Sequence, residues 1–441
     1  MIKGSSYSFC IGLKEGVIEQ NLFKPDSQRR SKEVKGLLSE LLLKWRFDSK
    51  SSLLASPAVV DVDGDGVEEV LFGTYDGRII CLDASSVVKW TFAVRESVSL
   101  KESLFFDQEL MYCIHASPTV VDVDGDGRFE VIFGTEAGML YVLDNTGRLK
   151  WKFSAGSAIR GSVLAHDLLK DGKKVLVFGA LDGFLYVLDS KGRLLWRFNA
   201  GAPIESSPTV LDEESVTFFF GTDDGSVCAV SEEGKLMWRF KTQDKVLAQP
   251  VVGELYKGSK CIVVGSMDYS LYVLSLKGVL YWSFKTEGSI VSRATLADVD
   301  EDGSMEIIFG SCDNNVYALT AQGDKLWSFE ADFWIASPPM VADVNKDGHL
   351  EVVVGSYDHK VYILDGRGSY SLDFVPGLSG VVNQAGGYTE LLTRESGQVV
   401  GKKLHEVKMD GMVVGCNWSS VENNLVVNTK TGKVDEVGWK R

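Results

Sequence analysis

The sequence predicts an all-β fold built from repeated four-stranded units, and three observations support this prediction. Each unit holds four short strand-like runs separated by turns, as in residues 117–153. A glycine ends the second run of seven successive units, at Gly73, Gly134, Gly179, Gly221, Gly265, Gly310 and Gly355. A tryptophan recurs in the last run, at Trp45, Trp90, Trp151, Trp196, Trp238, Trp282 and Trp327. Units of four strands that repeat every 40–45 residues are typical of a β-propeller, whose blades bury their faces against one another.

The repeat count predicts seven four-stranded blades and leaves eight as the alternative. Residues 43–47 match the last strand of the repeat but lack the first three strands, while Leu372 stands where the seventh repeat should have its tryptophan. The early strand could join the seventh blade, or the C-terminal tail could supply the missing strands of an eighth. We expect residues 43–374 to form the propeller and residues 375–441 to form a small β-rich extension or a divergent closing blade. Residues 1–42 are expected to include a short amphipathic helix that runs into a strand near Leu42.

Composition and charge exclude some classes of function. The chain has 441 residues and a net charge of -15, which argues against nucleic-acid binding because a phosphate backbone requires a basic partner. Its apolar runs are too short for a transmembrane helix. The start lacks the apolar stretch of a secretory signal, so a cytoplasmic location is slightly favoured over an extracellular or periplasmic one. The seven cysteines are scattered without C-x-x-C spacing, which argues against a zinc site or a disulfide framework.

An acidic turn between the first and second strands is the strongest chemical signal. Four repeats carry it in full, as Asp61, Asp63, Asp65, Glu69; Asp122, Asp124, Asp126, Glu130; Asp298, Asp300, Asp302, Glu306; and Asp343, Asn345, Asp347, Glu351. Oxygens at positions 1, 3 and 5, a glycine at position 6 and an acid at position 9 suit Ca²⁺, a hard cation that accepts flexible geometry. The alternative is an ordinary Asp-Gly turn with solvated acids. The other three repeats have lost the complete turn, as in the third, where Leu169 lies between Asp167 and Asp171, and they must fold without metal. We therefore expect about four calcium ions that stabilise the fold and take no part in catalysis.

The acidic turns and the tryptophan-containing halves resemble two known repeat families. DVDGDGVEEVLFGT and its three counterparts resemble FG-GAP repeats, the calcium-binding blades of integrin α-subunits. GALDGFLYVLDSKGRLLWRF resembles the repeats of propellers related to quinoprotein dehydrogenases and the outer-membrane assembly lipoprotein. The resemblance covers residues 43–374 and implies a propeller with calcium at the four acidic turns. Glutamate at position 9 departs from the aspartate usual in FG-GAP loops. Function does not follow, because such folds support many activities.

Few residues suggest catalysis or ligand binding. The five histidines form no metal-protease motif, no phosphate-binding glycine loop or serine-nucleophile motif is present, and nothing matches the catalytic groups of quinoprotein dehydrogenases. The residues just before the first strands, His115, Arg160, Glu205 and Gln249, are candidates for ligand binding at the mouth of the central channel. The alternative is a solvated rim. The insertion Val94–Cys113, with Leu104, Phe105 and Phe106, is a second candidate contact surface.

We therefore expect a non-catalytic, calcium-binding β-propeller that presents variable loops on one face to a protein or glycan partner. The alternatives are a quinoprotein-type oxidoreductase with a ligand in the central channel and a structural subunit of a larger complex. An acid beside a Ca²⁺ ion on the axis would favour the oxidoreductase, and a stable co-purifying partner would favour the structural subunit.

Overall fold

A computed structural model describes residues 41–95, 112–256, 258–371, 398–419 and 424–439 of the chain. The fold is all-β, as predicted, and these residues contain no helix long and apolar enough to cross a membrane. The helix predicted before Leu42, the centre of the insertion Val94–Cys113 and the predicted strand at 388–393 lie outside the described residues.

The strands group into blades of four. Blades 1 to 4 contain β2 (Ala58–Val60), β3 (Glu69–Gly73), β4 (Arg78–Leu82), β5 (Val88–Ala93); β6 (Thr119–Val121), β7 (Glu130–Gly134), β8 (Met139–Leu143), β9 (Leu149–Ser154); β10 (Leu164–His166), β11 (Val175–Gly179), β12 (Phe184–Leu188), β13 (Leu194–Asn199); and β14 (Thr209–Asp212), β15 (Val216–Gly221), β16 (Ser226–Ser231), β17 (Leu236–Lys241). Blades 5 to 8 contain β18 (Val251–Tyr256), β19 (Ser259–Gly265), β20 (Ser270–Ser275), β21 (Leu280–Lys285); β22 (Thr295–Ala297), β23 (Glu306–Gly310), β24 (Asn315–Leu319), β25 (Lys325–Glu330); β26 (Met340–Ala342), β27 (Glu351–Ser356), β28 (Lys360–Ser371), β29 (Gln398–Lys408); and β30 (Val413–Ser419), β31 (Asn424–Thr429), β32 (Lys433–Trp439) with β1 (Leu41–Asp48).

The ring has eight blades, so the favoured count of seven was wrong and the alternative is confirmed. The C-terminal tail enters the propeller twice. Strand β29 is the fourth strand of blade 7, where the sequence had suggested residues 371–374, and strands β30 to β32 form most of blade 8. The tail is therefore part of the ring, and it completes the last two blades.

Both ends of the chain meet in blade 8. Strand β1 pairs antiparallel with β32, and this pairing joins the start of the propeller to its end. The guanidinium of Arg46 donates two hydrogen bonds of 2.7 and 2.8 Å to Asp435, a carboxylate with no solvent exposure. A bidentate arginine–carboxylate pair fixes both distance and orientation, so it holds the strand register.

The hydrophobic core lies between neighbouring blades. One cluster, for example, combines Ile132 and Val142 of blade 2 with Leu176 and Phe178 of blade 3. Equivalent clusters join the other blades around the ring. A single blade therefore buries its faces only when both neighbours are in place.

The recurring tryptophan packs against a turn of the following blade, as predicted for a core residue. The ring of Trp238 in blade 4 lies against Gly278, the glycine in the turn between the third and fourth strands of blade 5. Its Nε1 donates a 2.8 Å hydrogen bond to the carbonyl of Leu276 in that turn. The same ring-to-glycine contact is made by Trp90, Trp151, Trp196 and Trp282. Glycine is required because the turn has a positive φ and because a β-carbon would occupy the place of the indole.

Gly278→Ala tests this contact against Gly258→Ala, a matched control. Both glycines have nearly the same φ, +76° and +77°, but a β-carbon would lie 2.6 Å from Trp238 in the first case and in open space in the second. The control should lose about 1–2 kcal/mol of unfolding free energy through backbone strain alone. Gly278→Ala should lose about 1–3 kcal/mol more because of overpacking. Urea unfolding measures both, and equal losses would contradict the proposed role of the indole.

Candidate functional site

The four predicted acidic loops form turns in which the first aspartate caps the backbone. In blade 1, Asp61 accepts hydrogen bonds from the backbone N–H groups of Gly64 and Gly66 at 2.7 and 2.9 Å. The glycine at position 6 has a positive φ in all four loops, between +84° and +99°, at Gly66, Gly127, Gly303 and Gly348. The sharp turn predicted at position 6 is therefore present.

The glutamate at position 9 is buried in each loop. Glu69, Glu130, Glu306 and Glu351 are 1–2% exposed. One carboxylate oxygen, Oε2, accepts the N–H of position 2 in every loop, at 2.8–2.9 Å. This bond spans seven residues and uses the longer side chain, which gives a physical reason for glutamate where FG-GAP loops have aspartate. The second oxygen, Oε1, is left for another partner.

A β-bulge in the outermost strand brings one further side chain to these loops. The fourth, outermost strand of each blade has one extra residue that lacks a partner in the third strand. In blade 8 the outermost strand is β1, and its extra residue lies opposite β32. The extra residue always directly precedes the tryptophan position. We call this the bulge position; from blade 1 to blade 8 it holds Lys89, Lys150, Leu195, Met237, Tyr281, Leu326, Leu404 and Lys44. A bulge redirects a side chain out of the normal alternation of a strand.

In blades 1 and 2 the bulge position supplies a lysine ammonium to the acidic loop. The Nζ of Lys150 lies 2.7 Å from Asp124 and 2.8 Å from the Oε1 of Glu130. The Nζ of Lys89 lies 2.5 Å from Asp63 and 2.9 Å from Glu69 in the same way. Burial would lower the pKa of Lys150, but its bonds to the two carboxylates raise that pKa above its ordinary value. Neither lysine was predicted from the sequence to contact the acidic loops.

Blades 6 and 7 have no lysine at the bulge position, and their loops match those of blades 1 and 2 except for Asn345 at position 3 of blade 7. Their bulge positions hold Leu326 and Leu404. Burial, reinforced by the neighbouring aspartates, raises the pKa of Glu306 to about 7. Burial raises the pKa of Glu351 to about 8. In blade 6, carboxylate oxygens of Asp298, Asp300 and Asp302 lie within 4.8 Å of one another, which suits a divalent cation held by oxygen ligands. Blades 1 and 2 have equally close groups, namely Asp61, Asp63, Glu69 and Asp122, Asp124, Glu130.

Blades 3 to 5 lack the complete set of acids, although blade 3 keeps Asp167 and Asp171, and they have apolar side chains at the bulge position. Leu195, Met237 and Tyr281 are 47%, 53% and 49% exposed. Among blades 1 to 5, lysine thus occurs at the bulge position only of blades 1 and 2, which carry the complete set of acids.

Three of the four predicted ligand-binding residues meet around Glu136. His115 lies 3.1 Å from this glutamate, and Arg160 donates two hydrogen bonds to it at 2.6 and 3.0 Å. Arg160 also lies 3.3 Å from Glu205. Gln249 does not join this group, since its Nε2 donates to the carbonyl of Pro208 and to Thr209. Arg160 is thus already paired with Glu136 and Glu205, and His115 contacts Glu136.

On the other side of the ring, the equivalent positions of this face hold apolar residues. The connections into blades 2 to 7 each contain a buried residue whose N–H donates to a carbonyl in the turn after the second strand of the previous blade. The residue that follows it is His115, Arg160 and Glu205 in blades 2 to 4. In blades 5 to 7 it is Leu247, Val291 and Ala336. Two residues before Ala336, Trp334 stacks on Phe333 with ring centroids 5.3 Å apart. These rings are 45% and 43% exposed, and Trp334 also approaches Tyr357, at 6.5 Å.

Comparisons with known proteins agree with this architecture. Residues 136–283 match the family described as outer membrane protein assembly factor BamB, and residues 276–374 match the lambda-carrageenase β-propeller domain. Among solved structures, BamB from Moraxella catarrhalis superposes with a TM-score of 0.60 at 16% identity, covering 91% of this chain and all of the other. The fold is a PQQ-like β-propeller.

Further similarities to this PQQ-like β-propeller concern the fold alone. The computationally designed protein Ika8 matches with a TM-score of 0.60 at 17% identity, covering 89% of this chain and 98% of the other. The C-terminal WD40 domain of Sif2 matches with a TM-score of 0.61 at 14% identity, covering 92% and 100%. A search of curated proteins gave no match. The FG-GAP resemblance of the acidic loops stays a prediction.

The cluster around Glu136 should make unfolding free energy depend on pH. Burial would raise the pKa of Glu136, but hydrogen bonds from His115 and Arg160 lower it from 4.5 to about 2. The folded state therefore binds fewer protons than the unfolded state between these values. The stabilisation is fully present above pH 4.5 and is lost as pH falls towards 2, by about 3 kcal/mol at most.

Urea unfolding at pH 5 and pH 3 tests this expectation. Glu136→Gln should reduce the loss of stability on acidification, whereas Glu214→Gln, at an exposed acid, should leave it unchanged. The same pH dependence in the wild type and Glu136→Gln would contradict the prediction.

Proposed function

We propose that this propeller is a non-catalytic platform that binds a protein segment on the face carrying Phe333 and Trp334, and that calcium at acidic loops stiffens its blades. The exposed aromatic pair is the observation that carries this proposal. Clusters of aromatic side chains at the surface are typical of the energetic centres of protein interfaces. The pair belongs to a blade-to-blade connection, the part of the fold that can vary while the blades stay fixed.

The surroundings of the pair favour a partner with apolar or aromatic side chains. Leu247, Val291 and Ala336 occupy equivalent places in neighbouring connections, while the charged residues of blades 2 to 4 are paired among themselves. Stacked rings that stay exposed in the free chain can bury a large apolar area when a partner docks. A protein segment therefore fits this face better than a charged ligand.

The acidic loops support a stabilising role for calcium over a catalytic one. They join the first and second strands, and the bulge position of the outermost strand reaches them in blades 1 and 2. The oxidoreductase alternative requires instead an acid and a cation on the ring axis. The calcium clusters we propose therefore act on blade stability.

Binding by the aromatic pair can be tested with peptides selected by phage display against the wild-type chain. The double substitution Phe333→Ala with Trp334→Ala should weaken the selected peptides about 30-fold or more, the effect of losing about 2 kcal/mol at an interface centre. Fluorescence anisotropy measures the affinities.

The matched control is Leu194→Ala with Leu195→Ala, which removes two side chains of similar exposure from the outer strand of blade 3. The control should bind the peptides like the wild type. Unchanged affinity in the Phe333/Trp334 variant would contradict the proposed face, and selective retention of glycans on an array would indicate a carbohydrate partner instead.

Calcium removal should lower the melting temperature. In blade 6 the carboxylates of Asp298, Asp300 and Asp302 lie close together and leucine occupies the bulge position, so excess EDTA should destabilise the fold and added Ca²⁺ should restore it. The substitutions Asp298→Asn and Asp300→Asn should reduce this response. Identical melting curves with EDTA and with Ca²⁺ would contradict calcium binding.

A further inference from the structure

We propose that the four acidic loops use two kinds of cation: the ammonium groups of Lys89 and Lys150 replace a metal ion in blades 1 and 2, and Ca²⁺ is bound only in blades 6 and 7. The second half of this inference rests on the proposed calcium binding. The inference changes the expected number of ions from about four to two.

Geometry shows that the ammonium group and an ion would compete for the same oxygens. In blade 2 the Nζ of Lys150 contacts Asp124 and Glu130, the residues at positions 3 and 9 of the loop. Calcium requires oxygens at about 2.3–2.6 Å, so an ion there would have to displace the lysine. Blade 1 repeats this arrangement with Lys89, Asp63 and Glu69, so the contact is a feature of the repeat.

The ammonium groups also show where a cation sits in this type of loop. Lys89 and Lys150 reach their loops from the bulge position, and Leu326 occupies that position in blade 6. Blade 6 therefore has the acids of blade 2 without the counter-charge. A buried carboxylate such as that of Glu306 is costly without a counter-ion, because burial penalises the charged form.

Glu306 provides a second observation that points to a ligand in blade 6. This glutamate is 2% exposed, and its Oε2 accepts the N–H of Val299. Its Oε1 accepts no hydrogen bond within the described residues, whereas the Oε1 atoms of Glu69 and Glu130 contact lysine. The Oδ1 of Asp298 is likewise buried without a partner among those residues, as is the Oδ1 of Asp124 in blade 2, so the free Oε1 of Glu306 is what distinguishes blade 6. In blade 6 both oxygens are available to an ion.

The proposed ion site of blade 7 resembles that of blade 6, except that one of its ligands is an amide. Leu404 occupies the bulge position, and the Oε1 of Glu351 accepts a hydrogen bond from the Asn345 amide. The Oδ1 of Asn345 accepts the N–H of Asp347 at 2.8 Å, and an asparagine oxygen is a usual ligand at position 3 of a calcium loop. The blade therefore retains oxygens for one ion.

Exchange of the bulge residues tests the inference. Lys150→Leu gives blade 2 the leucine that blade 6 has naturally, and Lys89→Leu does the same for blade 1. After saturation with Ca²⁺ and removal of free ions, mass spectrometry should count two ions in the wild type, three in each single variant and four in the double variant. Lys191→Leu, an exposed turn position of blade 3, is the control and should retain two.

Stability measurements distinguish a metal gain from misfolding. In EDTA, Lys150→Leu should melt below the wild type because Asp124 and Glu130 lose their counter-charge, and Ca²⁺ should recover more of the melting temperature in the variant than in the wild type. If leucine prevents folding, Lys150→Met supplies the linear side chain found at the bulge position of blade 4.

Each alternative result has a definite meaning. Four ions in the wild type, or folded lysine variants that still hold two, would overturn the replacement of metal by ammonium. No ions in the wild type would overturn the calcium sites of blades 6 and 7. In that case one ion gained by Lys150→Leu would support the ammonium role separately from the proposed function.

Discussion

Pairing between β1 and β32 is the constraint on which the rest of the ring depends. Every blade buries its faces against two neighbours, so an open ring would expose the core on both sides of the gap. The ion pair between Arg46 and the buried Asp435 sets the register of this junction, although its partners are 389 residues apart in sequence. Such distant contacts form at a high cost in chain entropy, and the full set of blade contacts is available only after the ends have met.

Within the closed ring, contacts between blades are repeated closely, whereas the bulge position varies. Trp151 and Trp196, for example, each pack on a turn glycine of the following blade, and this contact fixes the spacing of the blades. The residue immediately before the tryptophan is free to change because the bulge directs it out of the strand pairing. This position holds lysine in three blades and an apolar or aromatic residue in five, without any change in the fold. The repeat can therefore change its local chemistry while the blade contacts stay the same.

The sequence predicts well the features that recur in each repeat. It predicts less well that strands of the C-terminal tail complete the last two blades. Four strands, the tryptophan contact and the turn at position 6 follow from residues that appear several times. The eighth blade was not favoured because β29 carries His405 in place of tryptophan and β1 lies at the other end of the chain. Lys150 was missed because Lys-Trp reads as ordinary strand alternation, and only the bulge shows that its ammonium reaches Glu130.

The acidic loops lie in the blades that flank the closing blade. Blades 6 and 7 precede blade 8, blades 1 and 2 follow it, and blades 3 to 5, which lack the complete acidic loop, lie across the ring. Blade 8 itself has a lysine at its bulge position, where Lys44 lies 3.6 Å from the buried Glu436. A ring opens most readily where the chain is interrupted. The lysines of blades 1 and 2 connect the outermost strand to the second strand, and an ion in the loops of blades 6 and 7 would connect the loop to the second strand. Both kinds of contact oppose the separation of strands within a blade. We infer that cations are kept where the ring is interrupted, because the continuous chain of blades 3 to 5 already holds that part of the ring together.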